Sequence, residues 1–356
     1  MPRAIIVSPN GLSDSGGVER VMLYASRALS PLGFRPLVLD KARLAKSSIG
    51  RLLRPLARGR LGFTIEGLAY SLLARSLRSR GDIVVANGYS SPFVRADLLF
   101  CHGSIRGFRR ATEGRRIAYG PIELMEAAAG LLARRVAAVS LRAGREWRRM
   151  YWTPSRKLRI LQNCVDASAF IPAKAGRAAG REVATRVLFV ARLGIPKGTD
   201  RLHALLDHSA KTGTHLKLVI ATPSAEGTAA FAARSDVELL VGVPFGKLPE
   251  LYRSCDVLYL PSRYEGFEMV TLEALASGTP VVGSDVGGMA ELSRLGFPGV
   301  TIVDPDDVEA ALGAILAAAR DWGDPARKEL LHRRTESEYG LEAWSGRLAG
   351  IMEGRE

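Results

Sequence analysis

Cysteine is scarce in this chain. Its 356 residues include three cysteines, Cys101, Cys164 and Cys255, which are odd in number and far apart. They form neither a metal-ligand spacing nor the paired framework of a disulfide-stapled secreted domain. We expect each to be a small, buried apolar side chain with a reduced thiol, as in a cytoplasmic protein.

Long hydrophobic runs are also missing. The longest, at 310–319, has ten residues, about half of the roughly 20 that a membrane-spanning helix needs. The N-terminal stretch MPRAIIVSP lacks the long apolar core and cleavage site of a signal peptide. The sequence therefore predicts a cytoplasmic protein without a membrane span, and its 47% of hydrophobic residues indicate a globular one.

Acidic residues are few in the first half of the chain. Residues 1–165 contain 29 Lys and Arg against 10 Asp and Glu, whereas the remainder contains 21 basic and 26 acidic residues. This polarity favours an anionic partner for the first half, such as nucleic acid, anionic lipid or a phosphorylated acceptor. Since the sequence contains no recognisable nucleic-acid-binding module, we do not expect nucleic acid to be a partner.

Short apolar strands alternate with helical patterns along the chain. The alternation begins at AIIVSP and restarts at RVLFVARL after a Gly- and Ala-rich stretch. It is typical of parallel sheets with helical crossovers, whose ligands bind at the carboxyl ends of the strands. We therefore predict an α/β fold with two Rossmann-like domains facing each other across a deep cleft. The predicted divisions are a first domain at 1–165, a linker at 166–185, a second domain at 186–330, and a helical segment at 331–356 that packs back on the first domain.

Three acids surround one predicted helix start, in PSRYEGFEMVTLEALASG at 261–278. Glu265 follows an apolar strand, and Glu273 lies about two turns into the helix on a similar side of its axis. Free amides at a helix start suit a phosphate, whereas carboxylates accept hydrogen bonds from sugar or ribose hydroxyls. Alternatively, both acids are solvated and Glu265 only complements the helix dipole. The residues at the helix start are Gly266, Phe267, Glu268, Met269 and Val270.

Other polar groups also follow predicted strands. Arg192 and Lys197 come after RVLFV, where a guanidinium and an ammonium suit a diphosphate. Gly16 and Gly17 lack the GxGxxG spacing of a dinucleotide site, yet they let a ligand approach the backbone at a helix start. His102 closes the strand DLLFCHG. Solvated cations, an ordinary loop and a structural histidine are the alternative interpretations.

Together these residues resemble the retaining glycosyltransferases of family 4, which have the GT-B fold. The resemblance is strong over 186–293, where the E-x7-E block and the basic pair lie, and loose over 41–160. The family's motifs correspond to Glu265 and Glu273 for E-x7-E, Arg192 and Lys197 for the basic pair, Gly16 and Gly17 for the Gly-Gly loop, and His102 for the histidine at a strand end.

The resemblance implies an activity and a role for each motif. A UDP- or GDP-sugar is expected in the cleft, where Glu265 accepts hydrogen bonds from the sugar and Glu273 from the ribose. Arg192 and Lys197 are expected to stabilise the departing diphosphate electrostatically, so neither a metal nor another cofactor is expected. His102 is assigned to the catalytic set, and the anomeric configuration is expected to be retained.

Two features depart from the family pattern. Glu268 stands where the family usually has glycine, and we expect its side chain to point outward as an acid at the helix start. The segment IATPSAEG at 220–227 replaces a Gly-rich turn, which leaves the choice between UDP and GDP open. The acids Asp304, Asp306 and Asp307 are predicted to precede and cap a helix rather than to hold a metal.

Arginine and leucine interleave at 43–80, a pattern typical of amphipathic helices with a cationic face. It predicts peripheral docking on an anionic membrane surface, at the inner face of the cell membrane, although solvated helix faces give the same pattern. The patch is expected to extend to Arg106, Arg109, Arg110, Arg115, Arg116, Arg145, Arg148 and Arg149, beside Trp147 and Trp152.

The resulting prediction is a hexosyltransferase that acts on a lipid-linked or glycan acceptor in cell-surface polysaccharide or glycolipid assembly. One alternative is a catalytically inactive GT-B protein that binds sugar nucleotides or membranes, which Glu268 favours. Another is a GT-B sugar-nucleotide epimerase, which requires additional catalytic acids and histidines that the sequence does not supply. A dehydrogenase is disfavoured because the GxGxxG fingerprint is missing.

Overall fold

The computed structural model describes residues 1–14, 16–57, 59, 62–114, 118–173 and 184–355. Arg58, Arg115 and Arg116 of the basic segments, and 174–183 of the predicted linker, lie outside the described residues. The chain divides into two compact units, one made of 1–163 with the residues from 342 onward, the other of 164–341. None of the described helices is long and apolar enough to cross a bilayer.

The first unit contains a six-stranded parallel sheet in the order β2-β1-β3-β4-β5-β6. Its strands are β1 Arg3–Val7, β2 Arg35–Leu39, β3 Ile83–Asn87, β4 Leu98–Cys101, β5 Arg135–Ala138 and β6 Leu158–Ile160. Its helices are α1 Gly17–Leu29, α2 Lys41–Lys46, α3 Ser48–Leu53, α4 Gly62–Leu77, α5 Ile105–Glu113, α6 Pro121–Leu132 and α7 Leu141–Met150.

The second unit contains another six-stranded parallel sheet, in the order β12-β11-β10-β7-β8-β9. Its strands are β7 Thr185–Val190, β8 Leu216–Thr222, β9 Val237–Val241, β10 Val257–Leu260, β11 Val281–Gly283 and β12 Val300–Ile302. Its helices are α8 Thr199–Lys211, α9 Leu248–Arg253, α10 Met269–Ala276, α11 Gly287–Arg294, α12 Val308–Asp321 and α13 Pro325–Tyr339, and the last helix of the chain is α14 Leu341–Glu353.

The central strands are buried on both faces, which explains their unbroken apolar sequences. Ile5 and Ile6 of β1 are fully buried, as are Phe189 of β7 and Tyr259 of β10. In the second unit, Leu202 of α8 packs with these last two side chains in one hydrophobic cluster. The sequence prediction of an α/β protein with two Rossmann-like sheets is confirmed.

The predicted C-terminal segment divides between the two units. Residues from 342 onward belong to the first unit, whereas 331–341 stay in the second. The reason is that α13 packs against α10, with Leu331, Thr335 and Tyr339 buried. The prediction that the whole of 331–356 returns to the first domain is therefore wrong for α13.

The first residues of the predicted linker are also part of the second unit. Val165 pairs with Gly340 in a parallel bridge. Phe170 is fully buried and contacts the rings of Tyr252 and Phe245 edge-on. These contacts anchor 166–173, so this part of the predicted linker is not free. Cys164 and Val165, predicted to end the first domain, also belong to the second unit.

One tryptophan of the predicted basic surface lies in the core. Trp147 is fully buried and donates its indole N–H to the carbonyl of Gly103 at 2.7 Å. Trp152 is exposed and stacks on Tyr119, so only the second of the two predicted tryptophans is available at the surface.

Candidate functional site

The loops after β7 and β10 meet in the second unit. These strands are neighbours in the sheet. The Lys197 Nζ atom donates to Glu265 Oε1 at 2.6 Å, and the Ser262 hydroxyl donates to the same oxygen at 2.8 Å. The Glu265 side chain is 12% exposed. The structure thus brings together one predicted cation and one predicted acid at the carboxyl edge of the sheet.

A glycine and three charged side chains fix these loops to each other. Gly198 has φ +75°, and a Cβ atom there would lie 2.2 Å from the carbonyl oxygen of Pro261. Arg201 donates to that same carbonyl at 2.9 Å. Arg263 donates two hydrogen bonds to the Asp200 carboxylate, both at 2.7 Å, and thereby lowers the pKa of the Asp200 carboxyl. These contacts fix the backbone of the loop that carries Lys197.

Helix α10 begins at Met269, four residues after Glu265. Met269 and Val270 are its first residues, and no side-chain cap satisfies their amides among the residues described. Because such amides carry partial positive charge, they suit a phosphate group. The backbone of Gly266 and Phe267 leads into this turn, and the Phe267 ring is buried, so its side chain serves packing.

Glu268 is buried instead of pointing outward, so that prediction is wrong. Its Oε1 accepts hydrogen bonds from the Met289 amide at 2.7 Å and the Thr271 hydroxyl at 3.0 Å, and its Oε2 accepts one from the Gly288 amide at 2.9 Å. The physical reason is the start of α11, which has no side-chain cap of its own. A Cβ atom at Gly287 would lie 2.3 Å from Oε2, so glycine leaves the space that the carboxylate fills.

Burial has an electrostatic consequence for Glu268. Desolvation and, second, the neighbouring Glu265 carboxylate raise the pKa of the Glu268 carboxyl to about 7, against the opposing hydrogen bonds from the amides of α11. This residue therefore changes charge near neutral pH, and it directly precedes Met269 and Val270, whose amides are predicted to bind phosphate.

Glu273 lies in the second turn of α10 and is 1% exposed. The hydroxyl of Tyr252, at the end of α9, donates to Glu273 Oε2 at 2.8 Å. Its assignment to a ribose hydroxyl stays a prediction. The hydrogen bond from Tyr252 fixes the position of the Glu273 carboxylate. The E-x7-E motif contains only the two acids and so does not identify this tyrosine.

Arg192 follows β7 and is exposed. It forms no ion pair with any carboxylate in the part of the chain that the structure describes. Lys197 and Arg192 thus differ: the ammonium is neutralised by Glu265, whereas the guanidinium is available to an anion. The assignment of both to a diphosphate stays a prediction.

In the first unit, Gly16 and Gly17 begin α1 after β1. Gly16 is the N-cap and has no side-chain cap. The Glu19 carboxylate folds back to this turn, 2.1 Å from the position of a Cβ atom on Gly16, and accepts a hydrogen bond from Asn10 at 2.8 Å. Glu19 and Asn10 are therefore components of this turn that the sequence motif missed.

His102 directly follows β4 and stacks on Phe100. Its Nε2 atom is buried and has no hydrogen-bond partner among the described residues. Burial lowers the pKa of the imidazole to about 4, although Glu19 raises it, so the ring is neutral at pH 7. A neutral imidazole with an unsatisfied nitrogen can exchange a hydrogen bond with a hydroxyl group. The assignment of His102 to the catalytic set stays a prediction.

The acids near 304–307 serve the fold. Asp307 caps α12 by accepting from the Ala310 amide at 3.0 Å, as the sequence predicts for a helix start. Asp306 pairs with Arg201. Within the described ranges, no group of three or more His, Cys, Asp or Glu side chains is placed to hold a metal ion.

Two family models match this chain, one in each half. Residues 15–169 match the family model described as Glycosyltransferase Family 4, and 184–321 match the one described as Glycosyl transferases group 1. A D-inositol 3-phosphate glycosyltransferase of Geodermatophilus obscurus is 32% identical over 225 residues, which are 57% of this chain and 48% of that protein. The chain thus spans about half the length of the curated relatives it matches.

Solved structures share the fold. Sucrose-phosphate synthase from Thermosynechococcus elongatus superposes with a TM-score of 0.77 at 18% identity, over 100% of this chain and 99% of that one. Anabaena HepE in complex with UDP-glucose gives a TM-score of 0.72 at 15% identity, over 99% of both chains. Because the two family matches together span most of the chain and the fold agrees, this chain belongs to glycosyltransferase family 4 and has the GT-B fold.

Proposed function

We propose that this protein is a retaining, metal-independent glycosyltransferase. It transfers a hexose from a UDP- or GDP-sugar to a lipid-linked or phosphorylated glycan acceptor in cell-surface polysaccharide or glycolipid assembly. The observation that carries the proposal is the Lys197–Glu265 pair, held at 2.6 Å beside the uncapped start of α10. Family membership and the fold support the class of reaction.

The proposed role of Lys197 is electrostatic. When the bond between the anomeric carbon and the diphosphate breaks, negative charge grows on the leaving oxygen. A fixed ammonium and fixed amides lower the barrier there without reorganising. In the proposal, Lys197 and the amides of Met269 and Val270 face the diphosphate, and the exposed Arg192 joins them when the donor binds.

The proposed role of Glu265 is to orient both the ammonium and the sugar. A carboxylate has about four acceptor positions. Lys197 and Ser262 both donate to Oε1, which leaves acceptor capacity for a hydroxyl of the hexose. In the first unit, the neutral His102 with its unsatisfied Nε2 is proposed to exchange a hydrogen bond with a substrate hydroxyl. We assign no side chain as a nucleophile.

The names of similar proteins support the substrate classes. The Anabaena structure holds UDP-glucose, and the name of the Geodermatophilus obscurus relative specifies an inositol phosphate. A nucleotide-sugar donor and an anionic acceptor agree with the cations of the second unit and with the excess of basic residues in the first.

The nucleotide is identified by thermal stabilisation of the full chain. UDP and GDP are compared, with UMP as a control that lacks the β-phosphate. A cognate nucleotide at 100 times its Kd is expected to stabilise the protein by about 2.7 kcal/mol, and its sugar conjugates should release nucleoside diphosphate. Stabilisation by neither diphosphate contradicts the proposal. Tight binding without turnover of any donor favours the inactive sugar-nucleotide-binding alternative, to which the buried Glu268 points.

We also propose that the first unit docks on anionic membranes. Arg51 and Arg54 are exposed at α3, and Leu52 and Leu56 beside them are 75% and 61% exposed. Cations interleaved with exposed leucines suit a surface of anionic headgroups above an apolar layer.

Removing two charges from α3 tests this docking. The double variant Arg51→Gln/Arg54→Gln should lower partitioning onto vesicles that contain phosphatidylglycerol about 25-fold, since each basic residue near the surface contributes about 1 kcal/mol. The control is Arg320→Gln/Arg333→Gln, an equal charge change at two exposed sites of the second unit. Equal binding by wild type and the α3 variant contradicts a role of this segment.

A further inference from the structure

A basic cavity of about 580 Å³ lies in the first unit, apart from every residue predicted from the sequence motifs. Arg95 comes shortly before β4, Arg134 directly before β5, and Arg156 and Lys157 directly before β6. These strands are adjacent and parallel, so the four cations gather at the amino edge of the sheet. His102 and the Gly16 turn follow carboxyl ends of strands, at the opposite edge.

The cavity has few compensating negative charges. Asp97 accepts from Arg134 at 3.3 Å, but it also accepts from Arg78 at 2.9 Å and from the Val84 amide at 2.8 Å. Arg95 and Arg156 have no carboxylate partner in the portion of the chain described. Both positive charges repel the neighbouring Lys157 ammonium.

Lys157 shows this repulsion. Its ammonium donates a hydrogen bond to the carbonyl of Leu131, at the end of α6. Burial, then the charges of Arg156 and Arg95, lower the pKa of the Lys157 ammonium. An anion bound in the cavity would attract all four cations. It would therefore oppose the lowering of the Lys157 pKa that Arg156 and Arg95 cause.

Part of the cavity lining is apolar and exposed. Leu131 and Leu132, the last residues of α6, are 46% and 44% exposed and line the same cavity as the four cations. A free phosphate ion gains nothing from such side chains. A phospholipid can use both parts of the cavity. Its anionic headgroup phosphate pairs with the cations, and its acyl chains, which begin a few ångströms below the headgroup, contact the leucines.

We propose that this cavity binds the headgroup phosphate of an anionic phospholipid, while Leu131 and Leu132 enter the acyl boundary. The site gives the first unit a membrane contact at the amino edge of its sheet, additional to α3. The inference rests on the proposed membrane association and not on the proposed transfer reaction.

The test uses the full chain and vesicles of phosphatidylcholine with or without phosphatidylglycerol. The double variant Arg95→Gln/Arg156→Gln should lower partitioning onto the anionic vesicles about 25-fold, with its melting temperature and its stabilisation by nucleotide unchanged. The control Arg320→Gln/Arg333→Gln carries the same change in net charge and should bind the vesicles like wild type. Undiminished binding by the cavity variant, or an equal loss in the control, overturns the inference.

A second variant separates a lipid from free phosphate. Leu131→Ser/Leu132→Ser should weaken vesicle binding but preserve any stabilisation by inorganic phosphate. If this variant binds vesicles like wild type while phosphate stabilises wild type and not Arg95→Gln/Arg156→Gln, the cavity is a site for free phosphate and the lipid assignment is wrong. Failure of wild type to bind any vesicle refutes the membrane association itself, whereas release of nucleoside diphosphate from a donor, measured separately, tests the transfer reaction.

Discussion

Replacing Lys197 with alanine is expected to slow release of nucleoside diphosphate from the cognate donor roughly 10²–10³-fold, the usual effect of removing one preorganised group that stabilises charge in a transition state. The ammonium is fixed by Glu265 at 2.6 Å, and its backbone is braced by the contact of Gly198 with Pro261. The loss should fall on kcat, because the charge that Lys197 stabilises develops as the bond breaks. Steady-state kinetics of donor hydrolysis with the full chain measure it.

Further variants separate this role from a structural one. Lys211→Ala removes an exposed lysine of the same unit and should leave kcat unchanged. Lys197→Ala also leaves Glu265 without its cation, so a purely structural lysine predicts loss of thermal stability. In the double variant Lys197→Ala/Glu265→Gln that unpaired carboxylate is gone. Because Glu265 is itself proposed to hold the sugar, the double variant is compared with Glu265→Gln alone. Recovered stability with a kcat well below that of Glu265→Gln supports the electrostatic role, while equal kcat values for these two variants contradict it.

The alternation of strands and helices was sufficient to predict both sheets, since every central strand is a short apolar run ended by a turn. It also placed Lys197 and Glu265 at carboxyl ends. Their direct contact depends on β7 and β10 being neighbours, although they are separated by two other strands along the chain. Strand order is set by packing of the whole unit, so periodicity within a segment cannot supply it.

Glu268 shows where local reasoning failed. An acid at a helix start normally complements its own helix, and the sequence offers no sign of another partner. The partner is the uncapped start of α11, whose Gly288 and Met289 amides lie 20 and 21 residues farther along the chain. The Gly287–Gly288 pair was the available signal, because two glycines at a helix start permit close approach of a carboxylate. The amino-edge cavity was missed for a similar reason: its cations come from three separate segments.

The partly neutral Glu268 should make donor binding depend on pH. Two negative charges about 7 Å apart, at an effective dielectric constant of about 20, repel each other by roughly 2 kcal/mol, and salt reduces this. As pH rises through about 7, Glu268 loses its proton. We therefore expect the Kd of the intact nucleotide sugar to rise about tenfold between pH 6 and 8. The intact sugar conjugate is used because a terminal phosphate itself titrates near pH 6.

Glu268→Gln should abolish most of this slope and bind the donor more tightly than wild type at pH 8. The exposed Glu250→Gln is the control and should keep the slope. The pH dependence of folding stability is a second readout. The pKa of the Glu268 carboxyl is about 7 in the native protein, against an ordinary value of 4.5. At this site the native state then binds more protons than the unfolded state, so Glu268 contributes a loss of stability as pH rises from 4.5 to 7. The stability of Glu268→Gln relative to wild type should therefore increase across this window, whereas a constant difference between the two proteins shows that Glu268 is already ionised in it.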